Sequence, residues 1–460
     1  MSAPQLVWLR RDLRLADQPA LYAAAQAGPV VPVFVLDDAG AGEHALGGAS
    51  RWWLHHSLKS LGRSLAKHRS RVVLRRGDAA DELAKLAEET GASAVHAIRH
   101  YEPWWRKAQG TLKDALPEGC ELVLHDGNYL AEPGSVTTGS GGAYKIYTPF
   151  AKAVVAQMPP RDALPAPEHI AAPETWPKSD DLADWKLLPT KPDWAGGMRD
   201  FWRVGEAAAH ERLEEWEGDV ADYAEGRNLP SQDGSSRLSP HLHWGELSPV
   251  QVWHKLAGAK GKGWQTFAKE LIWRDYAQQT IAQFPDYGTR SYRDGYTGLW
   301  RTGPQADADF AAWTRGRTGY PIVDAGMRQL WRTGWMHNRV RMIAASFLVK
   351  HLLIDWTRGE RWFWDCLVDA DYGNNAVNWQ WIAGTGVDSN MFVRIMAPLT
   401  QSAKFDVAGY IREYVPELAA LSDADIHDPP GAKRGVYPAP IIGHREGRER
   451  ALVAYRRAKD

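Results

Sequence analysis

Residues 30–36, Val30-Val31-Pro32-Val33-Phe34-Val35-Leu36, form an apolar run that predicts a buried strand. Residues 19–27 before it have the pattern of a helix, and 6–9 (LVWL) predict another buried strand. The alternation continues, with strands predicted at 72–74, 94–98 and 122–124 and helices at 51–67, 79–89 and 104–116. Such alternation implies a parallel sheet covered by helices on both faces. We therefore expect residues 1–130 to form an α/β domain with a doubly wound, Rossmann-like sheet.

The pattern changes at residue 131, where proline and glycine become dense. Residues 131–199 therefore predict a long linker that wraps over the surface. The run 139–142 (GSGG) could suggest a phosphate loop, but it lacks the flanking strand and helix and the lysine of such loops.

Strand signals almost vanish after residue 200, which predicts an all-helical domain at 200–460. Ser239-Pro240 and Ser248-Pro249 have the residue types that begin helices. The predicted helices are 206–223, 249–256, 264–284, 307–315, 322–333, 338–355 and 362–368.

Composition limits the possible classes of protein. At 460 residues we expect two or three domains, and a net charge of −1 means that DNA binding would need a local basic patch. The two cysteines, Cys120 and Cys366, cannot build a disulfide framework or, alone, a zinc site. Residues 1–8 lack the apolar region of a signal peptide, and no apolar run is long enough to span a bilayer. We therefore expect a cytoplasmic protein without membrane contact.

Tryptophan is unusually frequent, with 23 residues in the chain. Several lie in 335–342 (WMHNRVRM) and 374–381 (NNAVNWQW), with Trp356 between them. Indole rings can pass single electrons and can stack on bases. Residues 327–342 also carry four arginines and no acid, which is typical of phosphate contact, although the arginines could be paired in space instead. These features indicate redox chemistry on nucleic acid.

Three shorter clusters have more than one interpretation. Residues 235–239 (SSRLS) could cradle an anion, although the cluster alone is more typical of a helix cap in a solvated loop. Asp369 and Asp371 could bind a metal or act as acid and base, but pairing with arginine is favoured, and Arg341 is a candidate. Residues 241–243 (HLH) lack companion ligands, so we expect them to be structural, and we expect no metal site.

Four motifs together resemble the DNA photolyase/cryptochrome family over nearly the whole chain. They are 7–14 (VWLRRDLR), 318–325 (TGYPIVDA), 333–339 (TGWMHNR) and 378–381 (NWQW). A further stretch, 390–398 (NMFVRIMAP), resembles bacterial photolyases close to plant cryptochromes, often described as class III.

The resemblance implies that FAD binds, folded in a U, in the helical domain. It assigns the flavin phosphates to Tyr223 and to Ser235, Ser236, Arg237, Leu238 and Ser239. It also places Arg274, Arg341, Asp369, Ala370 and Asp371 at the flavin, with Arg341 paired to Asp369.

Asn375 matches the family position that faces flavin N5, where an amide favours the reduced anionic flavin used in repair. Plant cryptochromes carry aspartate there, which favours a neutral radical. Photolyases for (6-4) photoproducts have histidines at the positions of Asn338 and Met342, so the resemblance implies cyclobutane pyrimidine dimers as the substrate.

By the same resemblance, a dimer in UV-damaged DNA is flipped into a cavity above the flavin, and light-driven transfer of one electron splits it. Trp273 and Trp381 would pack against the dimer, and the charged Glu270 would hydrogen-bond the pyrimidine edge. The residues expected at the DNA are Arg227, Asn338, Arg339 and Met342. Trp379, Trp356 and Trp300 would form the photoreduction relay, with Trp313 as the alternative surface member. Phe267 stands where many relatives have tryptophan.

The family often carries an antenna chromophore on the first domain. Residues 101–105 (YEPWW) lack the Asn-Glu pair of one well-known folate site. We expect methenyltetrahydrofolate rather than a deazaflavin, without assigning residues to it, and we expect a monomer with no obligate protein partner.

Two other functions fit parts of the sequence. The first is a blue-light photoreceptor of the cryptochrome type without repair activity. Two features argue against it: Asn375, and a chain that ends near residue 460 without a long disordered tail. The second is a nucleotide-binding electron-transfer flavoprotein built on the first domain, which would leave the basic, tryptophan-rich helices unexplained.

Overall fold

The computed structural model describes residues 2–293, 295, 298–389 and 395–459. Residues 390–394 of the 390–398 motif therefore lie outside the described residues. The first part of the chain is a five-stranded sheet in the order β3-β2-β1-β4-β5, and every neighbouring pair of strands is parallel. The strands are β1 (Gln5–Leu9), β2 (Val30–Leu36), β3 (Val73–Arg76), β4 (Ala94–Ile98) and β5 (Glu121–His125). The predicted α/β fold is confirmed.

Helices cover both faces of this sheet, because its central strands are apolar on both sides. Leu21 and Leu58 lie in the core on one face, and Leu83 and Leu112 lie in the core on the other. These helices are α1 (Pro19–Ala27), α2 (Gly48–Lys67), α3 (Ala79–Thr90) and α4 (Pro103–Ala115).

The 131–199 segment contains more regular structure than expected. It holds α5 (Tyr147–Val155), a 3-10 turn (Leu182–Trp185) and the start of α6 (Gly196–Phe201). Phe150 and Val154 of α5 are buried in the core of the helical region, so this part of the segment is not only a surface linker. Its helical period is only nine residues long, too short to stand out among the prolines and glycines.

Every regular element described after residue 200 is helical, as predicted. These helices are α7 (Glu206–Glu217), α8 (Tyr223–Gly226), α9 (Ser239–His243), α10 (Pro249–Leu256), α11 (Lys262–Gln283), α12 (Pro304–Thr314), α13 (Pro321–Thr333), α14 (Asn338–Ser346), α15 (Trp356–Cys366), α16 (Tyr372–Ala383), α17 (Pro398–Lys404), α18 (Ala408–Tyr414), α19 (Asp423–Ile426) and α20 (His444–Lys459). None of the helices in the described part of the chain is long and apolar enough to span a bilayer.

Three predicted helices have the wrong extent. The predicted helix 206–223 ends at Glu217, next to Gly218, and Tyr223 begins a separate short helix. The predicted helix 338–355 gives way after Ser346 to a π-helical turn, Phe347–His351. The predicted helix 362–368 begins earlier, at Trp356, where the Asp355 side chain caps the Thr357 N–H.

Arg14, in the 7–14 motif, joins the sheet to the helical region. Its guanidinium is buried and donates to the carbonyl oxygens of Gly127 and Gly245, at 2.9 and 3.0 Å. A buried guanidinium needs such acceptors, so this motif fixes how the two parts of the molecule meet.

Candidate active site

A cavity of about 450 Å³ opens into the helical region. Most of the residues that the sequence places at the site line it, from segments far apart in the chain. They are Tyr223, Arg227, Ser235, Ser236, Arg237, Leu238, Ser239, Glu270, Trp273, Arg274, Asn338, Arg341, Met342, Asp369, Asp371, Asn375, Trp379 and Trp381. Ala370 is buried between the two aspartates, and Arg339, Trp356 and Trp300 do not line the cavity.

The 235–239 loop supplies hydroxyl groups and one cation to the cavity wall. Arg237 has a φ of +54°, which is uncommon for a residue with a side chain, and its guanidinium lies over the Phe201 ring at 4.7 Å. Its Nη2 contacts Asp233 at 2.9 Å, whereas its Nε is buried without a hydrogen-bond partner. Such an orphaned donor beside serine hydroxyls fits a bound anion such as a flavin phosphate.

The two aspartates of 369–371 are held by different partners. Arg341 donates to Asp369 Oδ2 at 2.9 Å, which is the pairing expected from the sequence, and the Ser239 hydroxyl donates to the same oxygen at 2.7 Å. Asp369 Oδ1 is buried without a partner, so it can accept a hydrogen bond from a ligand.

Asp371 caps α16 and accepts hydrogen bonds from the Asn374 backbone at 2.7 Å and from Gln278 at 3.1 Å. Burial alone would raise the pKa of Asp371, but His243, Arg11 and Arg274 lower it below its usual value. Burial lowers the pKa of His243 itself to about 4, so this histidine is neutral near pH 7. A permanent negative charge therefore lies at the start of α16.

The Asn375 carboxamide is oriented by a buried acid. Its Nδ2 donates to the carbonyl oxygen of Glu360 at 3.1 Å and to Glu360 Oε1 at 2.9 Å. Glu360 is fully buried, and its backbone carbonyl oxygen can accept but cannot donate, so the nitrogen of the carboxamide faces it. The oxygen of the Asn375 carboxamide is therefore left for the cavity.

Two tryptophans form aromatic walls of the cavity. Trp273 is stacked on Tyr147 of α5, with ring centroids 3.5 Å apart and planes 3° apart, so that one face of its indole is already covered. Trp381 is half-buried at the same cavity. Near them, Glu270 is ion-paired with Arg227, whose guanidinium lies over the Tyr223 ring at 5.3 Å. This partner of Glu270 was not expected from the sequence.

The basic stripe of 327–342 is partly paired in space, which is the alternative left open by the sequence. Arg328 pairs with Glu417 at 2.7 Å, and Arg341 pairs with Asp369. Arg339 hydrogen-bonds the neutral Asn228 and lies over the Phe405 ring at 4.6 Å. Within the described residues Arg339 takes part in no ion pair, so its charge is not neutralised by a carboxylate.

The candidate relay tryptophans differ in burial. Trp379 and Trp356 are buried, and Trp300 is half-buried. Trp313 is 0% exposed and lies edge-on to Trp379 at 6.3 Å, so the interpretation of Trp313 as a surface member is wrong. Its Nε1 donates to the Ala344 carbonyl oxygen at 3.0 Å, which holds the ring in the interior.

Phe267, the departure from the family pattern, lies in an aromatic cluster near the cavity. Its ring is 5.2 Å from Tyr223 and 6.3 Å from Trp216. A phenyl ring thus fills this position among neighbouring aromatic rings.

Glu360 and Tyr147 were not predicted as site residues. Glu360 follows Trp356 by four residues and precedes Phe363 by three, so helical spacing puts an acid on the buried face of α15. An acid at such a position is a signal that could have identified Glu360. Tyr147 gave no comparable signal, since α5 is far in sequence from Trp273.

Two family models match the chain. The model for DNA photolyase matches residues 5–168, and the model for the FAD binding domain of DNA photolyase matches residues 267–457. The deoxyribodipyrimidine photo-lyase of Agrobacterium fabrum is 46% identical over 478 residues, covering 100% of this chain and 98% of that protein.

A crystal structure of a bacterial class III photolyase from Agrobacterium tumefaciens has a TM-score of 0.93 at 45% identity, covering 100% of this chain and 98% of that one. Cryptochrome-1 of Arabidopsis thaliana is more distant, at 33% identity over 97% of this chain and 69% of that protein.

Proposed function

Because the chain belongs to the DNA photolyase family, we propose that it uses light and bound, reduced FAD to repair cyclobutane pyrimidine dimers in UV-damaged DNA. The observation that carries the proposal is a single cavity in which Trp273, Trp381 and Glu270 meet Asn375 and Arg237. One cavity thus offers aromatic walls for bases and polar groups for a flavin.

The residues of the cavity fit FAD. The phosphates bind at Tyr223 and the 235–239 loop, where Arg237 Nε has no other partner. Arg274, Arg341, Asp369 and Asp371 line the cavity and would border the flavin, together with the buried Ala370 between the two aspartates, and Asp369 Oδ1 would be free to accept a hydrogen bond from it. Bound, reduced FAD supplies light absorption and one electron.

The wall near Asn338 and Met342 favours a cyclobutane dimer over a (6-4) photoproduct. His337 also lines the cavity, but its Nδ1 accepts the Arg339 N–H at 3.2 Å. Burial, with help from nearby arginines, lowers the pKa of His337 to about 4. A neutral imidazole occupied in this way is a poor proton donor, so this wall suits a reaction that needs no acid.

Glu270 and the two tryptophans act on the substrate in this proposal. Trp273 and Trp381 stack against a flipped dimer, and Tyr147 holds Trp273 in place. When the substrate binds, Glu270 gives up its ion pair with Arg227 and hydrogen-bonds the pyrimidine edge instead. Arg227 is then available to pair with a DNA phosphate. Asn338, Arg339 and Met342 contact the DNA around the cavity mouth.

The same reaction would use a relay of tryptophans and an antenna chromophore. Trp379, Trp356 and Trp300 form the photoreduction relay, and methenyltetrahydrofolate serves as the antenna in preference to a deazaflavin. Residues 1–130 form the antenna domain, 131–199 the interdomain segment and 200–460 the FAD- and DNA-binding domain. The protein works as a cytoplasmic monomer without an obligate protein partner.

The test uses the purified, reduced protein with UV-irradiated oligothymidine under blue light. Recovery of absorbance near the thymine band is expected in light and not in a dark control. A Glu270→Gln variant should bind flavin equally but repair more slowly. Flavin photoreduction without any recovery would reject repair and favour the alternative function, a blue-light photoreceptor of the cryptochrome type.

A further inference from the structure

One turn of the α/β region contacts the helix that carries Glu360, beside the candidate site. The 3-10 turn Gly42–His44 follows β2 and lies against α15. The Glu43 carbonyl oxygen accepts from Arg361 at 2.7 Å, and the Ala45 carbonyl oxygen accepts from Trp364 Nε1 at 2.8 Å. These hydrogen bonds fix the turn to the helix that carries Glu360.

His44 is the buried member of this turn, and three aromatic rings set the plane of its imidazole. The ring is stacked on Trp104 at 5.9 Å, and it is edge-on to Trp364 at 5.0 Å and to Tyr372 at 4.8 Å. Held in this way, His44 Nε2 lies 3.3 Å from Glu360 Oε1.

Glu360 Oε1 also accepts a hydrogen bond from Nδ2 of the Asn375 carboxamide, at 2.9 Å. The other oxygen, Oε2, accepts no hydrogen bond from the described residues, although Arg361 Nε lies 3.3 Å from it, so the hydrogen bonds that orient the carboxylate are those at Oε1. One oxygen of a fully buried carboxylate thus joins an imidazole of the α/β region to the carboxamide at the cavity. A buried carboxylate keeps a fixed orientation only when donors satisfy it from several sides.

We propose that His44 is a positioning residue that holds Glu360, so that Asn375 presents its carboxamide oxygen to the cavity. The inference rests on the proposed function, in which Asn375 is one of the polar groups that the cavity offers to the flavin. With the proton on Nε2, His44 donates to Glu360 Oε1 and holds that oxygen where it accepts a hydrogen bond from Asn375 Nδ2. Without His44, Oε1 loses a donor and the Glu360 side chain can turn, which leaves the Glu360 backbone carbonyl as the remaining described acceptor of Asn375 Nδ2 and loosens the carboxamide.

The test is an anaerobic redox titration of the bound flavin in the holoprotein without DNA. His44→Phe keeps a ring among the aromatic neighbours but removes the N–H, and it is expected to shift the midpoint potential. His44→Gln retains a donor and should restore most of the wild-type value. Ser50→Ala removes another hydrogen bond of the same interface, from Ser50 to the Leu367 carbonyl at 3.3 Å, and should leave the potential unchanged.

A double variant tests the route of the effect. In an Asn375→Ala background, His44→Phe should no longer shift the potential, because the carboxamide through which it acts is gone. An equal shift in that background, or no shift from His44→Phe at full flavin content, would overturn the proposal. If His44→Phe does not fold, Glu360→Gln carries the test, and an unchanged potential in that variant overturns it.

The outcome is independent of repair. A protein that shows this coupling but repairs no dimers would contradict the proposed function alone. A protein that repairs dimers but shows no coupling would contradict the role of His44 alone.

Discussion

The Asn375 side chain directs its nitrogen to Glu360, so only an oxygen of this residue remains for the cavity. In Asn375→Asp, a second carboxylate would lie about 2.9 Å from Glu360 Oε1. Two carboxylates that close cannot both stay ionised, so the pair retains a proton. We expect the light-minus-dark absorbance spectrum to shift towards that of a protonated flavin. The free energy of unfolding should fall by about 1–3 kcal/mol.

Asn375→Ala is the matched control for this substitution, because it removes the carboxamide without adding an acid. Its spectrum should not gain the protonated form. An Asn375→Asp protein whose light-induced spectrum equals that of the wild type would contradict the role given to this carboxamide.

Gly359 of α15 allows Trp379 and Leu348 to pack close to the helix backbone. A Cβ built on Gly359 would lie 2.3 Å from Trp379 and 2.6 Å from Leu348. Gly359→Ala should therefore force Trp379 to move, with a loss of about 1–3 kcal/mol, and should slow photoreduction of the bound flavin. Urea unfolding and the photoreduction rate measure the two effects.

Gly62 of α2 is the control, because a Cβ there meets nothing within 4 Å. Gly62→Ala should stabilise the protein by about 0.5–1 kcal/mol through helix propensity, without changing photoreduction. Equal effects of the two substitutions on photoreduction would show that crowding of Trp379 is not the cause.

The same elements show how far sequence patterns reach. The bounds of α1, β2 and β4 were predicted as observed, because the apolar pattern of each ends at once, at Gly28, Asp37 and Arg99 respectively. The helix α16 was not predicted, because its run of asparagines and tryptophans shows neither the helical nor the strand period of apolar residues. It is stabilised instead by the Asp371 cap and by tertiary contacts. Similarly, the burial of Trp313 depends on neighbours such as Phe363 and Trp379 that no local pattern reveals.

The whole molecule has almost no net charge, so DNA must be attracted by a few unpaired cations rather than by a global field. The proposed function makes Arg339 one of these, and Arg328, locked to Glu417, is a matched control. Arg339→Ala should weaken binding of irradiated and intact DNA alike and reduce the salt slope of log K by about 1, whereas Arg328→Ala should leave the slope unchanged.

Trp273→Ala should separate recognition of the lesion from attraction to the backbone. Trp273 carries no charge and lines the cavity, so its loss should weaken binding of irradiated DNA by about 1–3 kcal/mol while intact DNA and the salt slope stay as in the wild type. Titrations of both DNAs over a range of salt concentrations measure these quantities. If Trp273→Ala weakened the binding of intact and irradiated DNA equally, the lesion would not be recognised in the cavity. Electrostatic attraction through cations such as Arg339 would then account for all of the binding.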